Sequence, residues 1–534
     1  MSDQFIEQVE KLTSIGISLS KEPDLAILLE KILVGAKDIT YSDGGTLYLV
    51  KNKQLNFEII RTDSLGFAMG GTTNNAVTLP PIPIYNDDGA PNLKNISAYA
   101  ATTGTTVNIP DAYHAKGFDF TGVKEFDKHN NFRSESFLTV PMKNHEGETI
   151  GVLQLINSTD KKTGKLKSFS LHEQKLAESL ASQATIAISN FKLINDLRDL
   201  LEKFIEIIAG AIDDKSPYTG GHCRRVPEIA RLMAVGLNNT DVEPFKATHF
   251  NDKELYEIHI AALLHDCGKI TTPVHIVDKA TKLESIFDRI HLIDARIELL
   301  KKDKEIELLK LRFENKNDSE QSSLTKKYES FLEKLDDDHA FIKKCNKGSE
   351  FMGDDAAERI KQIALYSWQD SQGKTQTLLN ENEIENLCIA KGTLTAEERK
   401  IVNHHIVMTQ RMLQALPFPK HLENVPEIAG NHHERMDGKG YPNGVMGSEL
   451  SIPARIMCIA DVFEALTAAD RPYKKGMKLS VALRILGKMK EESHIDPDLF
   501  NVFVSEKIYL QYAEEFLDPE QIDEPDLSQL PGYN

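Results

Sequence analysis

A continuous helical pattern runs from Ser170 to Asp214 and separates two parts of the chain that differ in their secondary-structure signals. Within it, apolar residues recur at three- and four-residue steps, which is the spacing of a coiled-coil seam: Leu193, Leu197, Leu200, Phe204, Ile208 and Ile212. A helix packed on its own domain would also give such a pattern. Because the helix is a long linker between two domains, residues 191–215 are predicted to form a parallel dimerisation helix, and the protein a homodimer.

Before this helix, residues 1–190 mix helix and strand signals. Periodic apolar residues at 25–39 predict an amphipathic helix, and the stretches 45–50 and 57–62 predict strands. The segments SFLTVPMKN (136–144) and TIGVLQLIN (149–157) flank the turn HEGE and predict a hairpin. We therefore expect an α+β domain built around one antiparallel sheet.

After about Ser216 nearly every segment predicts helix, and thirteen of the 17 histidines lie in this part. Residues 281–390 differ from their surroundings because they are charge-dense and helix-forming, while histidine and aspartate motifs lie on both sides of them. We expect a helical insertion there. The acidic, proline-bearing tail at 511–534 is expected to be loosely ordered.

Chain length, net charge and cysteine spacing exclude some classes of protein. A chain of 534 residues is too long for one hydrophobic core. Its net charge of −18 argues against binding polymeric nucleic acid or an anionic membrane surface. Five scattered cysteines without CxxC spacing, an acidic N-terminus and the absence of a long apolar run predict a cytoplasmic protein without membrane insertion.

Histidines and carboxylates are scattered through the helical part: His222, His265, Asp266, His405, His432, His433 and Asp461. Taken singly, each has an ordinary explanation. A His-Asp dipeptide is common, paired histidines usually lie in surface loops, and Asp461 could be a capping or salt-bridged acid. Together they form a mixed nitrogen and oxygen ligand set, which suits Mn²⁺, Fe²⁺, Zn²⁺ or Mg²⁺.

The order of these residues resembles the HD-GYP family of phosphodiesterases. LLHDCGK (263–269) matches its HDxGK element, HHERMDGKGYP (432–442) matches HHExxDGxGYP at every fixed position, and ADVFEALTAADRPYKK (460–475) matches its closing motif. The resemblance covers about 216–280 and 391–510, and implies an all-α HD-type phosphohydrolase domain at 216–510.

By this resemblance a dinuclear metal site would be held by His222, His265, Asp266, His405, His432, His433 and Asp461, with Asp266 bridging the two ions. His405 rather than its neighbour His404 fits the family spacing HxxxGxxxL, in which Thr409 replaces the glycine. Some members hold a third ion with a glutamate four residues before the first histidine, where this chain has Tyr218. Two divalent ions are therefore expected, Fe or Mn first, with Mg and Zn as alternatives.

Two such ions about 3.5–4 Å apart activate water and neutralise phosphodiester oxygens. The resemblance implies that cyclic di-GMP is the substrate and is opened to linear pGpG, with GMP as a further product left open. Lys269 would contact the scissile phosphate, unless it only caps a helix end. The rest of the substrate would contact Tyr441, Arg471 and Lys474.

Residues 1–190 resemble a GAF sensor domain, and GETIGVLQLIN (147–157) is the most characteristic piece. Asn157, Phe169 and Glu173 keep the outline of a cyclic-nucleotide motif, but Ser158 and His172 replace its lysine and aspartate. No cysteine precedes Cys223, which excludes a thioether-linked bilin. The domain is expected either to bind an unidentified small molecule or only to dimerise.

Three hypotheses for the whole chain follow. The first is a metal-dependent cyclic di-GMP phosphodiesterase regulated by its GAF domain. The second keeps the enzyme class but takes 3′,3′-cyclic GMP-AMP as substrate. The third is a catalytically silent protein that binds cyclic dinucleotides or acts as a scaffold, in which residues 281–390 cover the site or recruit a partner.

Overall fold

One antiparallel sheet organises the N-terminal part of the computed structural model, which describes residues 3–215, 221–314, 317–348, 352–469 and 476–533. Tyr218, Arg471 and Lys474 lie outside the described residues. The chain divides into two units, Met1–Leu201 and Glu202–Asn534. Within the described ranges, no helix is both long enough and apolar enough to cross a bilayer.

The first unit places six strands in the order β3-β2-β1-β7-β6-β5, with β4 paired to β2 and β8 to β7. Its elements are α1 (Asp3–Leu19), α2 (Leu25–Thr40), β1 (Ser42–Lys51), β2 (Gln54–Thr62), β3 (Phe67–Gly70), β4 (Ile82–Pro83), α3 (Ile96–Thr103), β5 (Val107–Ile109), α4 (Thr121–Asn130), β6 (Phe137–Lys143), β7 (Thr149–Thr159), β8 (Leu166–Lys167) and α5 (Leu171–Asp213).

The α+β expectation is confirmed, because β1, β2, the β6–β7 hairpin and α2 all cover the predicted segments. The Asp24 carboxylate accepts a hydrogen bond from the Ile27 amide and so begins α2. The core of this unit lies between the sheet and two helices, where Ile32 of α2, Leu153 of β7 and Leu180 of α5 are completely buried.

Helix α5 is 43 residues long and carries an exposed apolar stripe. Its members are at least 60% exposed and follow alternating four- and three-residue steps: Leu193, Leu197, Leu200, Phe204 and Ile207. The predicted seam was wrong at its C-terminal end. Ile212 is buried in the core of the second unit and Ile208 packs against that core, so the exposed seam ends at Ile207.

The second unit is almost entirely helical. It contains α6 (His222–Asn239), α7 (Asp252–Leu264), α8 (Val274–Val277), α9 (Ile290–Glu314), α10 (Asp318–Asn346), α11 (Asp354–Ala364), β9 (Ser367–Gln369), β10 (Thr375–Thr377), α12 (Glu381–Leu387), α13 (Ala396–Gln414), α14 (Val425–Gly430), α15 (Ile452–Thr467), α16 (Leu479–Glu491), α17 (Pro497–Ser505) and α18 (Ile508–Phe516). Short 3₁₀ turns lie at Cys267–Thr271, Lys420–Leu422, Pro519–Gln521 and Leu527–Gln529.

The insertion has a hydrophobic core of its own. Ile293 and Ile297 of α9 pack with Leu335 and Ile342 of α10, and all four side chains are completely buried. The helices confirm the expected helical character of 281–390, and its role as an insertion stays a prediction. The structure adds the short β9–β10 hairpin, which the sequence analysis missed.

The acidic tail is ordered, contrary to expectation. Gln521 donates hydrogen bonds to the carbonyl oxygens of Thr467 and Met477, and Asp523 accepts from both the amide and the hydroxyl of Ser480. Leu530 is buried against the same core. These contacts anchor a segment whose composition alone predicts disorder.

Candidate metal centre

Five helices bring the seven predicted ligands together. His222 begins α6, His265 and Asp266 follow the last turn of α7, and His405 lies within α13. His432 and His433 follow α14, and Asp461 lies within α15. His222, His265, Asp266, His405 and His432 are each no more than 6% exposed.

Six of the seven candidate ligands form two groups, and within each group the candidate ligand atoms lie within 4.8 Å of one another. The first contains His222, His265 and Asp266, and the second contains His405, His432 and His433.

Two carboxylates connect these groups. Oδ2 of Asp266 is 3.3 Å from Nε2 of both His222 and His265, while its Oδ1 is 3.3 Å from Nε2 of His405. Asp461 places Oδ1 3.3 Å from Nε2 of His222, and Oδ2 4.0 Å from Nδ1 of His433. Each carboxylate thus faces imidazoles of both groups.

Backbone carbonyls orient three of the imidazoles. Nδ1 of His265 lies 2.7 Å from the carbonyl oxygen of Ala262, and His405 and His432 make the same contact three residues back, at 2.5 and 2.6 Å. Each Nδ1–H therefore donates to a carbonyl, which leaves the Nε2 lone pair directed into the site. This is the arrangement that metal-ligating histidines use.

Glu464 orients His222 and was not among the predicted site residues. Its Oε2 is 2.5 Å from Nδ1 of His222, and its Oε1 accepts from the Arg225 guanidinium at 2.6–2.7 Å. The Glu464 side chain is 1% exposed. A sequence signal exists, since Glu464 lies three residues after Asp461 and so occupies the same face of α15.

The electrostatics differ between the candidate ligands. Burial opposes protonation of His222, but Glu464, Asp266 and Asp461 raise its pKa well above the ordinary value, so a metal ion would have to displace a proton from this imidazole. Burial lowers the pKa of His432 well below its ordinary value and that of His433 to about 4, so both imidazoles are neutral near pH 7. Burial alone would raise the pKa of Asp266, but Lys269 and His265 hold it well below its usual range. Burial likewise opposes ionisation of Asp461, but hydrogen bonding and charge from His222 lower its pKa.

Three buried polar atoms test whether the residues fit metal ions. Among the described residues, Oδ1 of Asp266, Nε2 of His405 and Nε2 of His432 are buried without a hydrogen-bond partner. All three are lone-pair donors, and burying such atoms without a partner is costly. Cations at this position would satisfy them, so the donor set fits divalent metal ions.

The predicted substrate contacts are placed as follows. Nζ of Lys269 lies 2.5 Å from Oδ2 of Asp266, at the edge of the metal centre. The ring of Tyr441 lies 4.8 Å from the ring of His433. Burial and the charges of Asp461 and Asp266 raise the pKa of the Tyr441 hydroxyl, so it stays protonated and can donate a hydrogen bond.

Glu434 shapes the loop that carries Tyr441. Its side chain is 1% exposed and accepts hydrogen bonds from the amides of Asn443 and Val445 at 2.8 and 3.0 Å. Gly440 passes so close that a Cβ there would lie 2.4 Å from Cα of Glu434. The loop therefore requires glycine at this position, and the backbone fold holds Tyr441 beside His433.

The Thr409 departure from the family spacing has a structural reason. Its hydroxyl donates to the carbonyl oxygen of His265 at 3.1 Å and accepts from the amide of Gly268 at 2.9 Å. A Cβ on Gly268 would lie 1.9 Å from the carbonyl oxygen of His405. Thr409 thus fastens the Asp266 turn to α13. The neighbouring His404 is exposed and lies outside the site.

Models of known protein families match both the sheet part and the helical part of the chain. A GAF domain model matches residues 24–188, and HD domain models match residues 219–340 and 381–499. The solved GAF domain of an Acinetobacter phosphoenolpyruvate-protein phosphotransferase covers 37% of this chain and 99% of its own, at 16% identity and a TM-score of 0.27.

Curated relatives share a part of the chain. The 3′3′-cGAMP-specific phosphodiesterase 1 of Vibrio cholerae is 38% identical over 120 residues, which are 22% of this chain and 27% of the relative. The cyclic di-GMP phosphodiesterase PA4108 of Pseudomonas aeruginosa is 38% identical over 113 residues, 21% of this chain and 26% of the relative. The aligned region thus spans about a quarter of each relative. The chain therefore combines a GAF domain with a helical HD domain, and it is similar to the cyclic-dinucleotide phosphodiesterases of the HD-GYP type.

Proposed function

We propose that the protein is a metal-dependent phosphodiesterase that hydrolyses a cyclic dinucleotide, with cyclic di-GMP as the first candidate substrate. One observation carries the proposal: the Asp266 carboxylate lies between two groups of buried imidazoles, and its Oδ1 and two of the imidazole nitrogens lack a hydrogen-bond partner among the described residues. Such a donor set is suited to two adjacent divalent ions.

Each residue has a proposed role. The metal ions would be held by His222, His265, Asp266, His405, His432, His433 and Asp461, and Asp266 would be shared between the two groups of ligands. Bound ions would supply positive charge that stabilises the phosphodiester oxygens during hydrolysis. Lys269 holds its ammonium beside Asp266 and stabilises negative charge that develops on the phosphate. Tyr441 donates from its protonated hydroxyl to the substrate, and Arg471 and Lys474 contact the remainder of it.

A second substrate is supported by the relatives. Two proteins of Vibrio cholerae that are 38% and 42% identical over 120 and 112 residues, about a fifth of this chain, are named 3′3′-cGAMP-specific phosphodiesterases. 3′,3′-Cyclic GMP-AMP carries the same two phosphodiester linkages as cyclic di-GMP, so one metal centre can act on either. Discrimination must therefore come from contacts to the bases.

We further propose that α5 joins two copies of the chain as a parallel coiled coil. The exposed residues Ile186 and Asn190 extend the stripe toward the N-terminus at the same spacing. One heptad position is then occupied by Ile186, Leu193, Leu200 and Ile207, and the other by Asn190, Leu197 and Phe204. A single asparagine at such a position specifies register in parallel dimers. In this proposal the GAF domain regulates the enzyme through α5, either by binding an unidentified small molecule or by dimerising alone. We propose that the protein works in the cytoplasm.

Hydrolysis and metal content together test the proposed function. Full-length protein reconstituted with Mn²⁺ or Fe²⁺ should convert cyclic di-GMP or 3′,3′-cyclic GMP-AMP to the linear dinucleotide, measured by chromatography. The protein should hold about two ions per chain by elemental analysis.

His265→Ala should lose bound metal and activity, because it removes a buried ligand from the first group. His404→Ala removes an exposed imidazole from the adjacent helix position of His405 and should change neither measurement. Absence of hydrolysis by fully metal-loaded protein would exclude the enzymatic proposal. Full metal content in His265→Ala would show that the ligands are misassigned.

A further inference from the structure

The end of α5 contacts two of the backbone segments that carry the metal centre. The contacts come from Asp213, its last residue, and from Lys215, two positions later. Both lie in the C-terminal unit. The hydrogen bonds of both side chains reach backbone groups beside the candidate ligands.

Lys215 holds the turn that follows Asp266. Its Nζ donates to the carbonyl oxygens of Lys269, Ile270 and Thr272 at 2.8, 2.5 and 2.7 Å. These carbonyls lie at and just after the end of the 3₁₀ turn Cys267–Thr271, where the Lys269 carbonyl also accepts from the Thr272 amide at 3.0 Å. One ammonium therefore binds three carbonyl oxygens of the segment that follows Asp266 and contains Lys269.

Asp213 holds the start of α6. Its Oδ2 accepts from the Gly221 amide at 3.1 Å, and its Oδ1 accepts from the Cys223 amide at 3.3 Å. These amides flank His222, whose Nε2 faces both Asp266 and Asp461 at 3.3 Å. The first four amides of a helix have no intrahelical partner, so a carboxylate at this end also stabilises the helix start.

The Asp266 turn is thus held from two sides. Thr409 and the close approach of Gly268 fasten it to α13, and Lys215 fastens it to the end of α5. Because Lys215 and Asp213 are only two residues apart, a rotation of the chain at the end of α5 would move the Asp266 turn and the His222 segment together. A displacement of about 1 Å is enough to lower a catalytic rate a hundredfold.

We propose that Asp213 and Lys215 are positioning residues for the metal centre, and that the state of α5 reaches the site through these two side chains. This inference rests on the proposed phosphodiesterase function. It assigns Lys215 the task of placing the Asp266 turn and Asp213 the task of placing the His222 segment.

Two measurements on the full-length, Mn²⁺-loaded protein test the inference. Lys215→Met should speed hydrogen exchange in peptides covering 266–272. It should lower kcat by about tenfold to a hundredfold and leave KM within about threefold. Lys215→Arg keeps donors for the carbonyl oxygens and should recover most of the rate. Asp213→Asn should speed exchange at 221–226 and lower kcat in the same way.

Matched controls separate positioning from general charge effects. Lys246→Met removes an exposed lysine, and Asp214→Asn removes an exposed carboxylate next to Asp213. Both should behave as wild type. If Lys215→Met and Asp213→Asn both fold, as judged by circular dichroism, and keep wild-type exchange and kcat, the inference is overturned.

The exchange measurement also separates this inference from the proposed function. If the wild-type protein hydrolyses neither dinucleotide, the proposed function fails, yet faster exchange at 266–272 and 221–226 still supports the positioning contacts. If the wild type is active and the variants are unchanged, only the positioning inference fails.

Discussion

The histidines of the metal centre are distinguished by what their Nδ1 atoms contact. His265, His405 and His432 each use the carbonyl oxygen three residues back, and His222 uses the Glu464 carboxylate. His433 instead turns Nδ1 toward Asp461. Contacts of this kind fix the ring orientation and the tautomer of metal-ligating histidines.

At the residue scale, Glu464→Gln should weaken metal binding about tenfold to a hundredfold, because second contacts of this kind tune ligand basicity and orientation. The amide keeps the shape of the side chain but loses the charge that pairs with His222 and Arg225. Titration with Mn²⁺ followed by calorimetry measures the change. Glu514→Gln removes an exposed carboxylate from α18 and should bind as the wild type does. Equal affinities for the two variants would contradict the assigned role.

The sequence predicted much of this constellation, because the signature spacing identifies its members one by one. The structure brings all seven predicted ligands together, although their role as ligands remains a prediction. The sequence did not identify Glu464, because a glutamate in an apolar helix has many ordinary explanations. It also missed Lys215 and Asp213, since their hydrogen bonds to backbone groups leave no trace in residue spacing.

At the element scale, α5 exposes apolar side chains that a lone helix would leave in water. Seven positions from Ile186 to Ile207 follow the heptad spacing, and six of them are large and apolar. Burying such side chains against a second helix contributes about 1.5–3 kcal/mol for each one fully buried. The stripe therefore gives a second copy of α5 a substantial stabilising surface.

Replacing one seam residue tests the pairing of α5. Leu200→Glu places a charge in the centre of the stripe and should convert a dimer to a monomer, because desolvating an unpaired carboxylate is costly. Light scattering on the full-length protein measures the mass. Lys192→Glu changes the charge of an exposed residue outside the two seam positions and should leave the dimer intact. A wild-type monomer would rule out this role for the helix.

Elements whose order depends on distant contacts were harder to predict. The tail was expected to be loose because its composition is acidic, yet Gln521 and Asp523 bind backbone and side-chain groups that lie more than forty residues earlier in the chain. The predicted seam continued to Ile212 because the spacing of apolar residues does not reveal which of them meet a core. The local spacing of apolar residues thus predicted where helices and strands lie better than it predicted which other residues they pack against.

At the scale of the whole molecule, the described residues form separate cores for the sheet unit, the helical unit and the insertion. The candidate ligands come from the helical unit alone. Ions that bind there directly stabilise the unit that holds them, by about 2.7 kcal/mol at a free concentration one hundred times Kd.

Metal binding should therefore protect one unit selectively. Adding Mn²⁺ to metal-free protein should slow hydrogen exchange in peptides from the helical unit far more than in peptides from residues 25–160. Asp266→Asn should abolish the protection, because it removes the carboxylate shared by both imidazole groups. Equal protection of the sheet unit would contradict a site confined to the helical unit.

Two lysines at the start of the predicted insertion bind residues at its end. Nζ of Lys279 binds Glu398 and Asn386, and Nζ of Lys282 donates to the carbonyl oxygens of Leu387 and Ile389. The segment that enters the predicted insertion and the segment that leaves it are thus joined by these hydrogen bonds. A guest segment with its own core and adjoining ends can be lengthened, shortened or exchanged without reopening the host. A change in the length of this predicted insertion is therefore expected to leave the seven candidate ligands in place.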